Sequence, residues 1–273
     1  MSIRKIDNEV ATVALIEPMS ETDRWIEWQD KPKCSFGNRL AINSKIRFYQ
    51  YFLDNWLKFK QKALDFARKH GYIICKYDLS KYYERINIRK LLDMLFNEEK
   101  GYCCYKDKNK HLKRLTENLL TLKCHTTVHK EECIDCFKRN IVKPEFDCNE
   151  RYGLPQGPIV SGFFANIYLY LLDKTMLEGI ERYKYGEDYL YLRYVDDILI
   201  VCRHEIEDIL ADKLTEKAKE LELEINRNKT IKYSTPEEFE QTTIQENIVN
   251  LAKKAKAFLD FFFYLPSEYF LKF

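Results

Sequence analysis

Residues 189–202 constrain this chain more than any other stretch. Tyr-Leu-Tyr-Leu-Arg-Tyr-Val (189–195) and Ile-Leu-Ile-Val-Cys (198–202) are two apolar runs separated only by Asp196-Asp197. Short runs rich in β-branched and aromatic residues read as strands, and the polar break between them predicts a hairpin. Burying both flanks drives two adjacent carboxylates onto the connecting turn. Tyr72–Leu79 reads as another buried strand, and Asp78 sits at its end. If these strands are neighbours, three carboxylates converge at one edge of a sheet. Such a cluster repels itself unless cations compensate, and an all-oxygen ligand set suits Mg²⁺ or Mn²⁺. Two such ions roughly 3.5–4 Å apart can activate an attacking hydroxyl and stabilise a leaving phosphate oxygen. Asp-Asp at a hairpin is equally ordinary turn chemistry, and Asp78 alone could be a strand-end or helix-cap carboxylate. The carboxylates by themselves leave both readings open.

The remaining chain mixes helices with these strands. Ser44–His70 carries Ile46, Tyr49, Leu53, Trp56, Leu57, Leu64 and Ala67 at helical spacing, and Gly71 can end it. Asn87 is a candidate N-cap for a helix through Leu91, Leu92 and Leu95. Leu112, Leu115, Leu119 and Leu122 mark a further helix. Pro158 suits the first turn of a helix running towards Gly179. Glu205–Leu221 is amphipathic, short strand-like stretches follow at Leu223–Ile225 and Ile231–Tyr233, and Pro236 starts a last helix. This order describes an α+β fold rather than a regular parallel alternation.

Composition removes several classes. With 273 residues and 45% hydrophobic content the chain can bury a core, so wholesale disorder is excluded. Lys plus Arg number 45 against 43 Asp plus Glu, so any nucleic-acid partner must be held by local patches. No apolar window is long and clean enough to predict a membrane span. Nine cysteines behind a charged N-terminus, Met-Ser-Ile-Arg-Lys-Ile-Asp, read as reduced thiols of a cytoplasmic protein.

Four motifs then fall in the order of a known family. Tyr194-Val-Asp-Asp197 resembles the Tyr-x-Asp-Asp signature of reverse transcriptases, and Asp78-Leu-Ser-Lys-Tyr-Tyr-Glu-Arg-Ile86 resembles their first catalytic motif. Gly153-Leu-Pro-Gln-Gly157, continuing into Pro158-Ile-Val-Ser and Ala165-Asn-Ile-Tyr-Leu169, is similar to their nucleotide-binding loop and following helix. Leu221-Glu-Leu-Glu-Ile-Asn226 with Lys229-Thr230 resembles the later lysine motif. Cys34-Ser-Phe-Gly-Asn-Arg-Leu40 resembles a Ser-aromatic-Gly-x-Arg element of the bacterial branch, which holds retron, group II intron and phage-defence enzymes.

The resemblance implies an α+β right-hand polymerase palm, an antiparallel sheet backed by helices, with partial fingers and a short or absent thumb. It divides the chain into partial fingers (1–75), the first palm motif (76–96), a Cys/His/Lys-rich insertion (97–150), the remaining palm (151–235) and the start of a thumb (236–273). It implies an RNA-directed DNA polymerase acting on dNTPs, an RNA template and a DNA or RNA primer. Asp78 and Asp196 would hold two Mg²⁺ or Mn²⁺ ions, Asp197 would support them, and Leu79 would lend a carbonyl. Gln156 would contact the nucleotide, with Gly153 and Gly157 allowing close backbone approach. Lys229 matches a residue that would protonate the leaving pyrophosphate. Arg39 would organise the fingers or contact template. Tyr83 occupies the sugar-gate position, where a ring would clash with a 2′-hydroxyl; read alone it is also a core aromatic.

Only Arg4 and Lys5 precede the region similar to the segment after the family's fingers hairpin, and the stretch beyond Thr230 is short for a helical thumb. A missing fingers or thumb segment, or a non-coding RNA, is therefore an expected partner. Two other readings stay open: template-independent or protein-primed synthesis in phage defence, and a maturase-like RNA-binding module with little synthesis. Within the insertion, Cys124, Cys133 and Cys136 with His125 or His129 could complete a tetrahedral Zn²⁺ site; a reduced, Lys-rich surface insertion is the other reading. Its basic run could contact a phosphate backbone. Cys34, Cys75 and Cys202 read as small core residues.

Overall fold

The computed structural model describes residues 34–39, 41, 49–96, 113–114, 116, 120, 152–154, 159–180 and 182–245. Its centre is a four-stranded antiparallel sheet in the order β2-β3-β1-β4, where β1 is Ile73–Asp78, β2 Tyr189–Tyr194, β3 Asp197–Cys202 and β4 Ile231–Tyr233. Both sheet faces are covered, which is why the strands read as continuous apolar runs rather than a polar alternation.

One face carries Ile73, Cys75, Tyr77, Tyr189, Tyr191, Ile198, Ile200 and Cys202. It packs on α3 (Ile88–Phe96), α4 (Ile159–Tyr168), α5 (Tyr170–Leu177) and α6 (Glu207–Glu220). The opposite face, with Ile74, Leu190, Leu192, Leu199, Val201 and Tyr233, receives α1 (Phe52–His70) and Phe239, in a helical stretch over 236–245. The mixed arrangement is the α+β, palm-like fold expected of the sequence. Free Cys34, Cys75 and Cys202 are all buried within it.

Local chemistry sets the boundaries. Gly71 closes α1 in the left-handed region at φ 68°, its N–H donating to the Ala67 carbonyl. Asn87 caps α3 through its Oδ1, which accepts from the Lys90 N–H at 3.1 Å. The helix expected from Pro158 towards Gly179 is divided at Leu169 into α4 and α5. The Leu223–Ile225 stretch contributes a single bridge, Leu79 to Ile225, and not a strand.

Further expectations need correction. The helix read over Ser44–His70 has Tyr49 outside it and runs over Phe52–His70; of its apolar residues Leu64 and Ala67 are buried, together with Phe59 and Ala63, while Leu53 and Leu57 are 42% and 52% exposed. Ala63 and Ala67 let the helix lie close against the sheet. Positions four before Phe59 and Ala63 then face inward, and those two residues further along point away from it. The hairpin turn is also shifted by one residue towards the N-terminus. β2 ends at Tyr194, Asp197 belongs to β3 and pairs with it, and the turn is Val195-Asp196 rather than Asp196-Asp197.

Candidate active site

The site lies where β1 ends beside the β2–β3 turn. Asp78 and Asp197 are direct cross-strand partners. Just beyond them the Leu79 N–H points at the Asp196 carbonyl, 3.4 Å away. Sequence positions more than a hundred residues apart are thus brought to one sheet end by strand register alone. Leu79, proposed from the sequence as a backbone ligand, is buried, with its main chain alongside Asp196.

Two lysines lean on these carboxylates. Lys229, in a short 3₁₀ turn over Arg227–Lys229, places Nζ 3.3 Å from Asp78 Oδ1 and 3.2 Å from Oδ2. The preceding residue of that segment, Asn226, fastens it: its N–H donates to the Asp78 carbonyl at 2.8 Å and its Nδ2 to Oδ2 at 3.3 Å. On the α1 face, Lys76 Nζ stands 3.8 Å from Asp197 Oδ1. Burial pushes the Asp197 carboxyl up to about 6; Lys76 opposes this, and Asp196 and Asp78 add to it. Asp196 is raised too, by burial first, against its own backbone N–H, with Asp78 raising it and Lys229 opposing.

Among the described residues no three His, Cys, Asp or Glu side chains are drawn together as a finished metal cage. The donor chemistry nonetheless suits a hard cation. The carboxylates are adjacent, come from two strands, have no soft ligand among them, and hold a lysine ammonium on Asp78. Asp78 and Asp196 are the residues that would hold such an ion, with Asp197 behind them.

The aromatic pair after Asp78 divides its tasks. Tyr82 is buried and its hydroxyl donates to the Ala165 carbonyl. Tyr83 is half-buried, accepts a hydrogen bond from Asn38 Nδ2 at 3.2 Å, and feels the Asp196 charge. The core role therefore falls to Tyr82, and Tyr83 is left beside the carboxylates. The loop at Gly153 is docked on the same short helix α2 (Tyr82–Arg85): Leu154 N–H donates to Tyr83 O at 2.8 Å and Gly153 N–H to Ile86 O at 2.9 Å. Gly153 has φ 95°, and a Cβ there would lie 3.4 Å from the Glu84 carbonyl oxygen. Gln156 and Gly157 lie outside the described residues, as do Cys124, His125, His129, Cys133 and Cys136. Arg39 is buried, with Nη1 donating to its own loop at Ser35 O, 3.2 Å away.

Sequence reasoning passed over the support of the turn. Arg193 and Asp173 are both fully buried and form a two-pronged pair, Nε to Oδ1 at 2.8 Å and Nη2 to Oδ2 at 2.6 Å. The available signal was alternation: Tyr189, Tyr191 and Arg193 share one buried face of a strand, and a charge there needs a partner.

A family profile described as "Reverse transcriptase (RNA-dependent DNA polymerase)" matches residues 38–245, most of the chain. The chain belongs to the reverse transcriptase family. Among solved structures, telomerase from Candida albicans in complex with a TWJ fragment of telomeric RNA is similar at 19% identity, TM-score 0.45, over 82% of this chain and 34% of that one. Apo telomerase from Candida tropicalis truncated from the C-terminal domain is similar at 18% identity, TM-score 0.42, over 80% and 40%. The chain therefore spans well under half the length of these telomerase chains. No curated protein sequence matches it.

Proposed function

We propose that the chain is the catalytic palm of an RNA-directed DNA polymerase, transferring a nucleotide from a dNTP to a primer 3′-hydroxyl. The observation that carries this reading is the register of Asp78 against Asp197, with Asp196 on the adjoining turn. Divalent cations, Mg²⁺ or Mn²⁺, when bound there supply an activated hydroxyl and charge stabilisation at the leaving oxygen. The chain's own residues do the rest. Asp78 and Asp196 fix the charge at the sheet end. Lys229 Nζ holds a proton next to Asp78 and delivers it to the leaving pyrophosphate. Tyr83, braced by Asn38, excludes a 2′-hydroxyl. Gly153 brings the nucleotide loop against α2, with Gln156 and Gly157 following, and Arg39 steadies the fingers segment around Ser35.

The finer assignments belong to the same reading. The Ser-Phe-Gly-Asn-Arg element favours a bacterial, defence-associated enzyme working in the cytoplasm on RNA. In the described residues no helix is long and apolar enough to cross a membrane. The segment boundaries at 75, 96, 150 and 235 stand as functional divisions of one polymerase, with further fingers, a thumb or a non-coding RNA supplied as partners. Zinc at Cys124, His129, Cys133 and Cys136 is a separate, structural expectation.

The test is incorporation of dNTPs by purified protein with Mg²⁺ or Mn²⁺ on primed RNA, on primed DNA and without template. Dependence on primed RNA supports the reading. Template-free incorporation moves the protein to untemplated or protein-primed synthesis, and RNA binding without incorporation moves it to a maturase-like module.

A further inference from the structure

The turn that carries Asp196 is held in an unfavourable shape. Val195 has φ 57°, a left-handed conformation that is a true outlier for a β-branched residue. Strain of this kind persists only where the surroundings over-determine it. Two elements do so here. On one side Gly37 lies so close that a Cβ would fall 2.5 Å from Val195 Cγ2 and 2.7 Å from Val195 N. On the other, Arg193 Nη1 donates to the Val195 carbonyl at 3.0 Å.

Arg193 is itself fixed from every direction. Its fork is filled by Asp173, whose Oδ1 also accepts from the Tyr191 hydroxyl at 2.8 Å. Its Nη1 also donates to Asn166 Oδ1 at 3.0 Å. The same Asn166 gives its Nδ2 to the Gly37 carbonyl at 2.8 Å and the Asn38 carbonyl at 3.1 Å. The Arg193 main chain is clamped as well, its N–H on Cys34 O at 2.7 Å and its carbonyl on Phe36 N–H at 2.8 Å. Asn166 thus ties together the two elements that pinch Val195. A buried ion pair is weak as a source of stability compared with apolar residues of the same volume. What this one supplies is geometry: a planar, five-donor fork that reaches four acceptor oxygens on three residues at once.

We propose that Arg193 is a positioning residue for the catalytic turn, with Asp173 and Asn166 as its frame, holding Val195 left-handed so that Asp196 meets Asp78. The claim rests on the polymerase reading for what the turn then does.

Two variants of the full chain test it, Arg193→Lys and Asn166→Ala, each read in two ways. Lysine keeps the charge but not the fork. The first readout is steady-state dNTP incorporation, where a displaced turn lowers kcat about 100-fold while the KM for dNTP changes little. The second is the carbon chemical shifts of Val195, which report its backbone conformation and need no nucleotide. Shifts leaving left-handed values in a cooperatively folded variant, with the kcat loss, support the proposal. Folded variants with wild-type Val195 shifts overturn it, whether or not kcat falls, since Arg193 then acts by another route. If Arg193→Lys does not fold, Asn166→Ala decides. A wild type that incorporates nothing removes the polymerase reading alone, and the Val195 shifts still decide whether Arg193 holds the turn.

Discussion

Asp78 and Asp197 face each other across β1 and β3, and each leans on a different lysine: Lys229 for Asp78, Lys76 for Asp197. Like charges directly opposite on neighbouring strands destabilise a sheet. The pairing therefore makes physical sense as a seat for cations, and the two lysines supply part of that charge from within the chain. Lys229 is 65% exposed and can leave Asp78 without disrupting packing, whereas Lys76, at 19%, is fixed against the α1 face.

That difference separates their roles. Lys229→Gln is expected to lower the rate of the chemical step by about 10²-fold, the lower range for loss of a general acid. Single-turnover incorporation measures this. A variant with an unchanged rate would reduce Lys229 to a counter-ion of Asp78.

Asp197 makes stability pH-dependent in an unusual direction. Its folded value of about 6 lies above the ordinary 3.8, because burial disfavours the charge. Between about pH 4 and about pH 6 the native state holds a proton that the unfolded chain has released, so stability falls as pH rises through that window. The full shift corresponds to about 3 kcal/mol as an upper bound. Metal-free Asp197→Asn should therefore match the wild type near pH 4 and melt above it near pH 7, by less than that bound because Lys76 loses its partner. Thermal melts of both proteins over that range check it; equal melting temperatures at pH 7 would remove the burial argument.

Tyr83 should act on sugar choice rather than on chemistry. Replacing it with alanine opens the space beside the carboxylates and removes the ring that Asn38 steadies. The ratio of rNTP to dNTP incorporation is expected to rise by about 10²-fold, with dNTP kcat largely retained. Competition between matched nucleotides reads this ratio directly, and an unchanged ratio would leave Tyr83 as a packing residue.

Gly37 offers a steric test of the turn. Alanine there would drive a methyl into Val195, including its backbone nitrogen, which cannot swing away as a flexible side-chain end can. Loss of incorporation by about 10²-fold is expected from a protein that still unfolds cooperatively. Full activity in Gly37→Ala would mean that the turn tolerates displacement.

Much of this was legible in the chain. The three long strands announced themselves because both faces of the sheet are covered, so apolar residues run without interruption. Gly71, Asn87 and Asp78 each marked an element end by local chemistry. The turn was read one residue too far along, because strand pairing with Tyr194 and Asp78 claims Asp197, and pairing partners are not visible locally. The buried stripe of α1 was read in part: Leu64 and Ala67 are buried as expected, but Phe59 and Ala63, not the larger Leu53 and Leu57, complete the face that approaches the sheet. Arg193 went unread because its meaning lies in Asp173 and Asn166, which only the fold brings to it. Gln156, Gly157 and the Cys/His cluster at 124–136 rest on sequence alone.

The most direct measurement compares Mg²⁺-dependent dNTP incorporation on primed RNA by the wild type and by Asp196→Asn, in parallel with thermal melts. Asn keeps the size of the side chain and removes its charge. Template-dependent extension is expected from the wild type, and a loss of at least about 10³-fold in the variant, several kcal/mol of transition-state stabilisation, from a protein that remains folded. Equal extension by both proteins would contradict this, because nucleotide transfer would then be occurring somewhere other than at the paired ends of β1 and β3.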